Sequence, residues 1–334
     1  MTPAGGSPLD LLGAPLTIGV ELGRGAVKVV AVRRGARPRL VHAAISPMPA
    51  GVIEGGMVLA LPLAVDTLRA ALRQAGIRRG RAVIGISGRN VIVRHLPFPP
   101  MPADELKSAI RLEAERHLPL RIDEAVLDAQ VLREVTEDGQ KRIEVLMAAV
   151  PERDALAYHQ AAAGAGLDVA AIEAASLALV RTLDEDPGPI AGVDVGADIT
   201  EIVIARHTLP LVCRSFPVGR DHITSAGLMR TAEPSADASA SPGPGLQDLL
   251  DGVARSFDYF QAQARQERIA RVVLSGDGAL TPGLAQLLAG ELAVPVAVGD
   301  PLARLAISPQ ISLEVLDQRA AFAIAVGLAL RTLT

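Results

Sequence analysis

The sequence predicts an α/β protein with a duplicated fold, whose two halves face each other across a cleft. Two stretches carry this prediction, LTIGVELGRGAVKVVAV at 16–32 and IAGVDVGADITEIVIA at 190–205. Each combines an apolar strand, an acid (Glu21 or Asp194), a tight glycine turn and a second β-branched strand, which is the pattern of a hairpin. A third stretch, VVLSGDGALTPG at 272–283, predicts a strand, a glycine turn and a helix start. Because a helix start offers free N–H groups to an anion, the three elements together predict a binding cleft.

The glycine turns also have a purely structural interpretation. Glycine lets backbone N–H groups approach an anion without an intervening side chain. Glu21 and Lys28 flank the first turn, where they offer a cation anchor and a phosphate partner. A single Gly-x-Gly hairpin, however, more often only joins two strands. The second copy of the pattern at 194–198 is what favours a binding role.

Length and composition narrow the class of protein. A chain of 334 residues exceeds what one hydrophobic core usually supports, so two or more domains are expected. The net charge of −4, with both signs interspersed, gives no electrostatic case for nucleic acid or an anionic membrane. The single cysteine, Cys213, suits a reducing compartment. Neither the tail at 1–15 nor the apolar stretch at 320–330 matches a targeting or spanning segment, so a cytoplasmic protein is expected.

Between the hairpins, the pattern predicts two groups of elements. The first group adds to the opening hairpin a strand at 39–45, a helix at 63–75, and strands at 82–87 and 91–96. The second group is an α-β-β-α unit, with a helix from Pro102, strands at 126–135 and 142–150, and a helix at 152–166. Helices are predicted at 171–183 and 246–269, a strand at 209–216, and a flexible, proline-rich loop at 231–245.

Nine short stretches extend the pattern beyond the three turns. They are GVIEG at 51–55, VIVR at 91–94, LP at 96–97, PM at 100–101, EL at 105–106, EAE at 113–115, HLPL at 117–120, VLD at 126–128 and AVGLALR at 325–331. The order of the three turns resembles the actin, Hsp70 and sugar-kinase superfamily, in which two phosphate loops and an adenosine loop hold ATP between related domains. With the nine stretches, the chain most resembles the PilM family of actin-like type IV pilus assembly proteins, and FtsA more distantly.

The resemblance implies a division of the chain into an actin-like, ribonuclease-H-like pair of domains with an insertion. The first domain would comprise 15–96 with 171–187 and 317–334, and the second would comprise 188–316. The α-β-β-α unit at 97–170 would be the inserted partner-binding subdomain, and the nucleotide cleft would lie between the two domains.

The resemblance also implies ATP and magnesium in the cleft. The implied nucleotide-binding residues are Gly23, Arg24, Gly25, Lys28, Asp194, Gly196, Ala197, Asp198, Thr200, Glu233, Gly276 and Gly278. Glu21 and Asp194 would approach the magnesium ion through water, and Lys28 would neutralise phosphate charge. No catalytic residue is predicted, so hydrolysis is expected to be slow at most.

Four departures from the family pattern bear on that site. Glu21 stands where most relatives have Asp, with Arg24 and Gly25 in place of hydroxyl residues. The second loop has Asp198 and Ile199 where hydroxyl residues are usual. The last loop lacks its glycine pair because position 277 is Asp, and the Lys expected three residues after Glu233 is Ala236. ATP binding is still the expectation, with a nucleotide-free pseudo-actin as the alternative.

The resemblance implies a scaffold of the inner-membrane complex for type IV pili, or a related secretion system, that serves twitching motility. Its partner would be the N-terminal cytoplasmic segment of PilN, held in a groove beside the insert by apolar and backbone contacts. Other pilus assembly proteins and a homo-oligomer are further expected partners, and membrane association would come only through partners. An FtsA-like cell-division protein and a small-molecule kinase are the remaining alternatives.

Overall fold

The computed structural model describes residues 16–119, 121–137, 139–184, 186–223, 243–264 and 267–331. Most of the predicted flexible loop, 231–242, and the tail at 1–15 lie outside the described residues. Within them, the strands are β1 (Leu16–Leu22), β2 (Ala26–Arg33), β3 (Arg39–Pro47), β4 (Ile53–Glu54), β5 (Met57–Val58), β6 (Arg81–Ile86), β7 (Ile92–Phe98), β8 (Ala125–Glu137), β9 (Gln140–Pro151), β10 (Asp168–Ala174), β11 (Ile190–Val195), β12 (Thr200–Arg206), β13 (Leu209–Phe216), β14 (Arg271–Ser275), β15 (Val296–Val298) and β16 (Ala306–Ile307). The helices are α1 (Leu61–Gln74), α2 (Ala103–His117), α3 (Glu152–Gly164), α4 (Ala175–Leu179), α5 (Pro244–Gln263), α6 (Leu284–Leu292), α7 (Leu313–Asp317) and α8 (Ala323–Ala329).

Two of the sheets repeat one topology. The first runs β10-β6-β1-β2-β3-β16 and the second runs β13-β12-β11-β14-β15. In each, three antiparallel strands in chain order are followed by two strands parallel to the first of them, β6 and β10 in one sheet and β14 and β15 in the other. The predicted duplication of an α/β unit is therefore confirmed.

The first sheet is covered on both faces, which explains the continuous apolar runs of β1 and β2. Ile18, Val20 and Leu22 pack with α1 and α3 in one core cluster. On the opposite face, α8 packs against Val30 and Val32 in another cluster. Alternate residues of the strands thus face different layers.

A helical layer joins the two sheets. In a third core cluster, α4 and α8 pack with Val83 of the first sheet and with Val203 and Ala205 of the second. Two glycines make this close packing feasible. A Cβ at Gly19 would lie 2.0 Å from the Ala325 carbonyl oxygen, and one at Gly327 would lie 2.0 Å from that of Ala178.

A third sheet, β7-β9-β8, carries α2 on one face. The stripe predicted on this helix, Leu106, Ile110 and Ala114, is buried in that cluster. The positions of two elements differ from the prediction. β7 pairs antiparallel with β9, whereas the sequence pattern places its residues in the opening unit, and α3 packs mainly against α1 and the first sheet. The predicted domain limits remain a prediction. The positions of β7 and α3 suggest that the limits of the inserted subdomain would shift at these two elements.

The prediction of a helix at 171–183 is wrong for the first part of that segment. Residues up to Ala174 belong to β10, which pairs parallel with β6, and the helix begins only at Ala175. The alanine-rich sequence favours a helix locally, but pairing along the edge of a preformed sheet overrides that preference. Among the described helices, none is long and apolar enough to cross a membrane.

Candidate functional site

The three predicted turns meet where β1, β11 and β14 end. A Cβ at Gly25 would lie 3.0 Å from the Ala197 Cβ and 3.5 Å from the Asp277 Oδ2. Gly276 has φ +87°, and a Cβ there would lie 2.8 Å from the Asp194 Oδ1. The turns are therefore in direct contact, and glycine is required where the backbone passes Asp194.

Lys28 lies at the centre of this contact with 2% of its side chain exposed. Its Nζ is 2.9 Å from the Glu21 Oε1, across the β1–β2 hairpin, and 3.0 Å from the Asp277 Oδ1, in the second half. Burial on its own lowers the pKa of Lys28. The attraction of the surrounding carboxylates, Asp277 first, outweighs burial and holds that pKa above its ordinary value.

The buried carboxylates outnumber this one buried ammonium. Asp194 is 3% exposed and accepts a hydrogen bond from the Ser275 Oγ at 2.8 Å. Burial, and next the charge of Glu21, raises the pKa of Asp194 to about 7. Burial likewise raises the pKa of Glu21, whose Oε2 has no hydrogen-bond partner among the described residues. The cleft therefore gathers several carboxyl groups around a single lysine, and burial favours the protonated forms of Asp194 and Glu21.

Further polar contacts tie the halves together at the rim. The Arg24 Nη1 pairs with the Asp221 carboxylate of the second half, while its Nε lies 2.9 Å from the Glu54 Oε2 of its own half. The Gly55 N–H donates to the Asp198 Oδ2 at 2.9 Å. Arg24 and Asp198, two of the predicted nucleotide-binding residues, are thus engaged with the protein itself.

The predicted residues do not all face the cleft. Those that line it are Glu21, Gly23, Arg24, Gly25, Lys28, Asp194, Gly196, Ala197 and Asp198. The Thr200 hydroxyl instead donates to the Val218 carbonyl at 2.7 Å, and Gly276 and Gly278 pack on Val195. Glu233 lies outside the described residues. Sequence reasoning did not identify Glu201, Tyr158 and Ser87 as lining residues.

The space between the loops is small. The cavity measures about 40 Å³, whereas small-molecule sites typically measure roughly 300–1,000 Å³. Within the described part of the chain, no group of three His, Cys, Asp or Glu side chains is placed to ligate a metal ion. A nucleotide with magnesium does not fit the cleft in this closed form.

A larger apolar groove lies beside the third sheet. Its volume is about 410 Å³, and its walls come from the third sheet, α3 and the ends of β6 and β10. The lining residues are Ile86, Val91, Val126, Asp128, Ala148, Ala149, Val150, Glu152, Ala155, Leu156, His159, Ile172 and Ala174. Val126 and Leu156, two large apolar side chains of these walls, are 47% and 51% exposed. The groove therefore presents apolar surface that nothing in the described chain covers.

Two sheet edges border this groove. β8 is an edge strand of the third sheet, and β10 is an edge strand of the first. An edge strand has N–H and C=O groups that no neighbouring strand pairs, so it can accept an extended segment. Asp128, Glu152 and His159 add polar groups to the apolar walls. The groove thus has the features that recognise an extended peptide.

Comparison with known proteins relates this architecture to one family. The family described as type IV pilus assembly protein PilM matches residues 19–231 and 243–333. The chain belongs to the PilM family. A PilM-family structure solved as a "PilM-PilN type IV pilus biogenesis complex" is similar with a TM-score of 0.80 and 28% identity, over 94% of this chain and 98% of that one. The predicted resemblance is therefore confirmed, and this PilM-family chain has a role in type IV pilus assembly.

More distant structures share the fold. The ethanolamine utilization protein EutJ from Carboxydothermus hydrogenoformans has a TM-score of 0.53 at 16% identity, over 96% of this chain and 91% of that one. A Bacteroides thetaiotaomicron protein with an actin-like ATPase fold and unknown function has a TM-score of 0.50 at 9% identity, over 98% and 100%. The actin-like fold predicted for this PilM-family chain is confirmed.

We expect Glu201 to make the stability of this PilM-family chain depend on pH. It is 4% exposed and accepts a hydrogen bond from the Gly88 N–H at 3.4 Å, across the cleft. Burial raises its pKa from 4.5 to about 8. Between these values the folded protein holds a proton that the unfolded chain releases. The free energy of unfolding therefore falls as pH rises, by up to about 1.4 kcal/mol per pH unit.

Glu201→Gln should flatten this dependence. Urea unfolding between pH 5 and pH 8 should show a smaller fall in the free energy of unfolding for the variant than for the parent, because the glutamine amide does not titrate in this range. The exposed Glu314→Gln is the matched control and should retain the parent's slope. An unchanged slope in Glu201→Gln would mean that Glu201 does not stay protonated in the folded protein.

Proposed function

We propose that the chain is a cytoplasmic scaffold of the type IV pilus inner-membrane assembly complex, and that it captures the N-terminal cytoplasmic segment of PilN. One observation carries the proposal. The relative that shares 28% identity over 94% of this chain was solved as a PilM–PilN complex. Other pilus inner-membrane assembly proteins would be further partners, and association with the inner membrane would come only through such partners.

The groove supplies the physical basis for this capture. Val126 and Leu156 offer apolar contacts. Burying such side chains against a partner contributes a favourable free energy of about 25 cal/mol for each Å² of apolar surface removed from water. The free edges of β8 and β10 offer main-chain hydrogen bonds that fix an extended backbone. The carboxylates of Asp128 and Glu152 at the same groove favour a basic residue on the bound segment.

A direct titration tests this proposal. A labelled peptide with the N-terminal cytoplasmic sequence of PilN from the same organism would be titrated with the purified chain and followed by fluorescence anisotropy. We expect saturable binding with one peptide per chain, and no binding of a scrambled peptide of equal composition. Equal binding of the two peptides, or of neither, would contradict the proposal.

Nucleotide binding is a second part of the proposal and applies to an opened cleft. Its support is the duplicated topology, which brings two hairpin turns and a third glycine turn together. When the cleft is open, Gly23, Gly25 and Gly196 would present backbone N–H groups to phosphates. Lys28 would then neutralise phosphate charge, Glu21 and Asp194 would approach a magnesium ion through water, and hydrolysis forms no part of the proposal.

The melting temperature with and without magnesium-ATP tests this second part. Ligand at about 100 times its dissociation constant stabilises a protein by roughly 2.7 kcal/mol, which is several degrees for a chain of this size. The rise should be absent from Gly196→Asp, which places a carboxylate in the second turn. A parent that shows no rise at millimolar magnesium-ATP would contradict nucleotide binding and leave the peptide proposal intact.

A further inference from the structure

We infer that the Asp277 carboxylate takes the place of a nucleotide phosphate on Lys28 and thereby determines whether the cleft admits nucleotide. The inference deepens the nucleotide part of the proposed function and rests on it. Lys28 has two carboxylate partners, and they lie in different halves of the protein. Glu21 lies opposite Lys28 in the register of one hairpin, so that pair persists whether the cleft is open or closed. Asp277 follows β14 in the other half, so its 3.0 Å contact exists only when the cleft is closed.

The position of Asp277 excludes a phosphate group from the same place. Its Oδ2 lies 3.5 Å from the point where a Cβ on Gly25 would stand, so the side chain occupies the gap between the first and third turns. The cavity that remains is about 40 Å³. A carboxylate is an anionic acceptor like a phosphate oxygen, and it already neutralises the ammonium group. A phosphate would therefore have to displace Asp277 to reach Lys28.

Burial makes this ion pair stronger than the exposed ion pair that crosses the cleft at the rim. The side chains of Lys28 and Asp277 are 2% and 10% exposed. Those of Arg24 and Asp221 at the rim are 33% and 38% exposed, and exposed pairs contribute little to stability. Removing one partner of a buried pair leaves the other charge buried and unpaired. Of these two ion pairs, that of Lys28 with Asp277 therefore favours the closed cleft more.

Charge also favours the closed form over a nucleotide complex. A triphosphate beside Asp277 would place like charges together around one lysine, and it would further oppose ionisation of Asp194 and Glu21. Removing the carboxylate at 277 frees Lys28 for phosphate and lowers this repulsion. Asp277→Gly also frees space, whereas Asp277→Asn retains the volume and removes only the charge. The two variants separate the effects of size and charge.

The test compares the parent, Asp277→Gly, Asp277→Asn and the exposed control Asp258→Asn. The first readout is the dissociation constant for magnesium-ATP, from the melting temperature as a function of ligand concentration. We expect it to be at least tenfold lower in Asp277→Gly than in the parent, intermediate in Asp277→Asn and unchanged in Asp258→Asn. The second readout is amide hydrogen exchange without nucleotide, which should be faster at 21–28 and 194–201 in both Asp277 variants.

The two readouts separate failure of the inference from failure of the proposed nucleotide site. Equal ATP affinity in the parent and Asp277→Gly would overturn the inference, as would unchanged exchange in Asp277→Asn. Faster exchange in the variants with no ATP binding by any of them would support the closing role of Asp277 and refute nucleotide binding. Asp277→Asn keeps the shape of the side chain, so it provides a result if the glycine variant does not fold.

Discussion

Gly19→Ala should lower the free energy of unfolding by about 1–3 kcal/mol, because overpacking against rigid backbone is costly. The added Cβ would lie 2.0 Å from the Ala325 carbonyl oxygen and 2.7 Å from the Ala329 nitrogen. Both atoms belong to the backbone of α8, so no flexible side chain can yield. The helix must move away from β1, which opens the layer between the two sheets. Urea unfolding followed by circular dichroism measures the loss.

Gly290→Ala is the matched control for this prediction. Gly290 lies within α6, and a Cβ there would meet no atom within 4 Å. Alanine is favoured over glycine in a helix by about 0.8–1.0 kcal/mol, so this variant should be at least as stable as the parent. A loss below about 1 kcal/mol in Gly19→Ala would contradict the close approach of α8 to β1.

Leu156→Asp should weaken binding of the PilN segment by at least about 30-fold, which corresponds to roughly 2 kcal/mol. Leu156 lines the groove and is 51% exposed, so the substitution removes an apolar contact without creating a cavity in the core. The new carboxylate would be desolvated by the bound segment, which adds an unfavourable free energy to binding. The anisotropy titration described above gives both dissociation constants.

The chain offers a closely matched control in Leu112→Asp. Leu112 is also a helical leucine, on α2, and is 50% exposed, but it does not line the groove. It should leave peptide binding within twofold of the parent, and both variants should keep the parent's melting temperature because both side chains are half exposed. Equal losses of affinity in the two variants would show that the segment binds elsewhere.

The parts of the fold that sequence predicted are those with local causes. Runs such as Leu16–Leu22 are apolar because both sheet faces are covered, and the turn at 23–25 contains glycines that permit the hairpin. The packing of α3 and the strand conformation of β10 have no such local signal in the sequence. α3 buries mostly small residues, Ala155, Ala161 and Ala162 with Tyr158, and these do not indicate which sheet the helix covers.

The candidate site, too, could be predicted from the sequence only where its features are local. The three turns were predicted because each contains its own glycines and acid. The ion pair of Lys28 with Asp277 joins residues from opposite ends of the chain, so no local pattern indicates it. Glu201 had a weak signal, as an acid within the β-branched run of β12. The groove draws its walls from separate elements and had no signal beyond the resemblance to a family with a peptide groove.

Amide hydrogen exchange of the full chain, with and without the PilN segment, tests the central claim most directly. The account predicts slower exchange at the edges of β8 and β10 and at the start of α3, where the groove lies. The turns at 23–25 and 196–198 should exchange as before, because the segment does not enter the cleft. Slower exchange at those turns, with none along β8 or β10, would contradict the claim that this scaffold captures its partner in the groove.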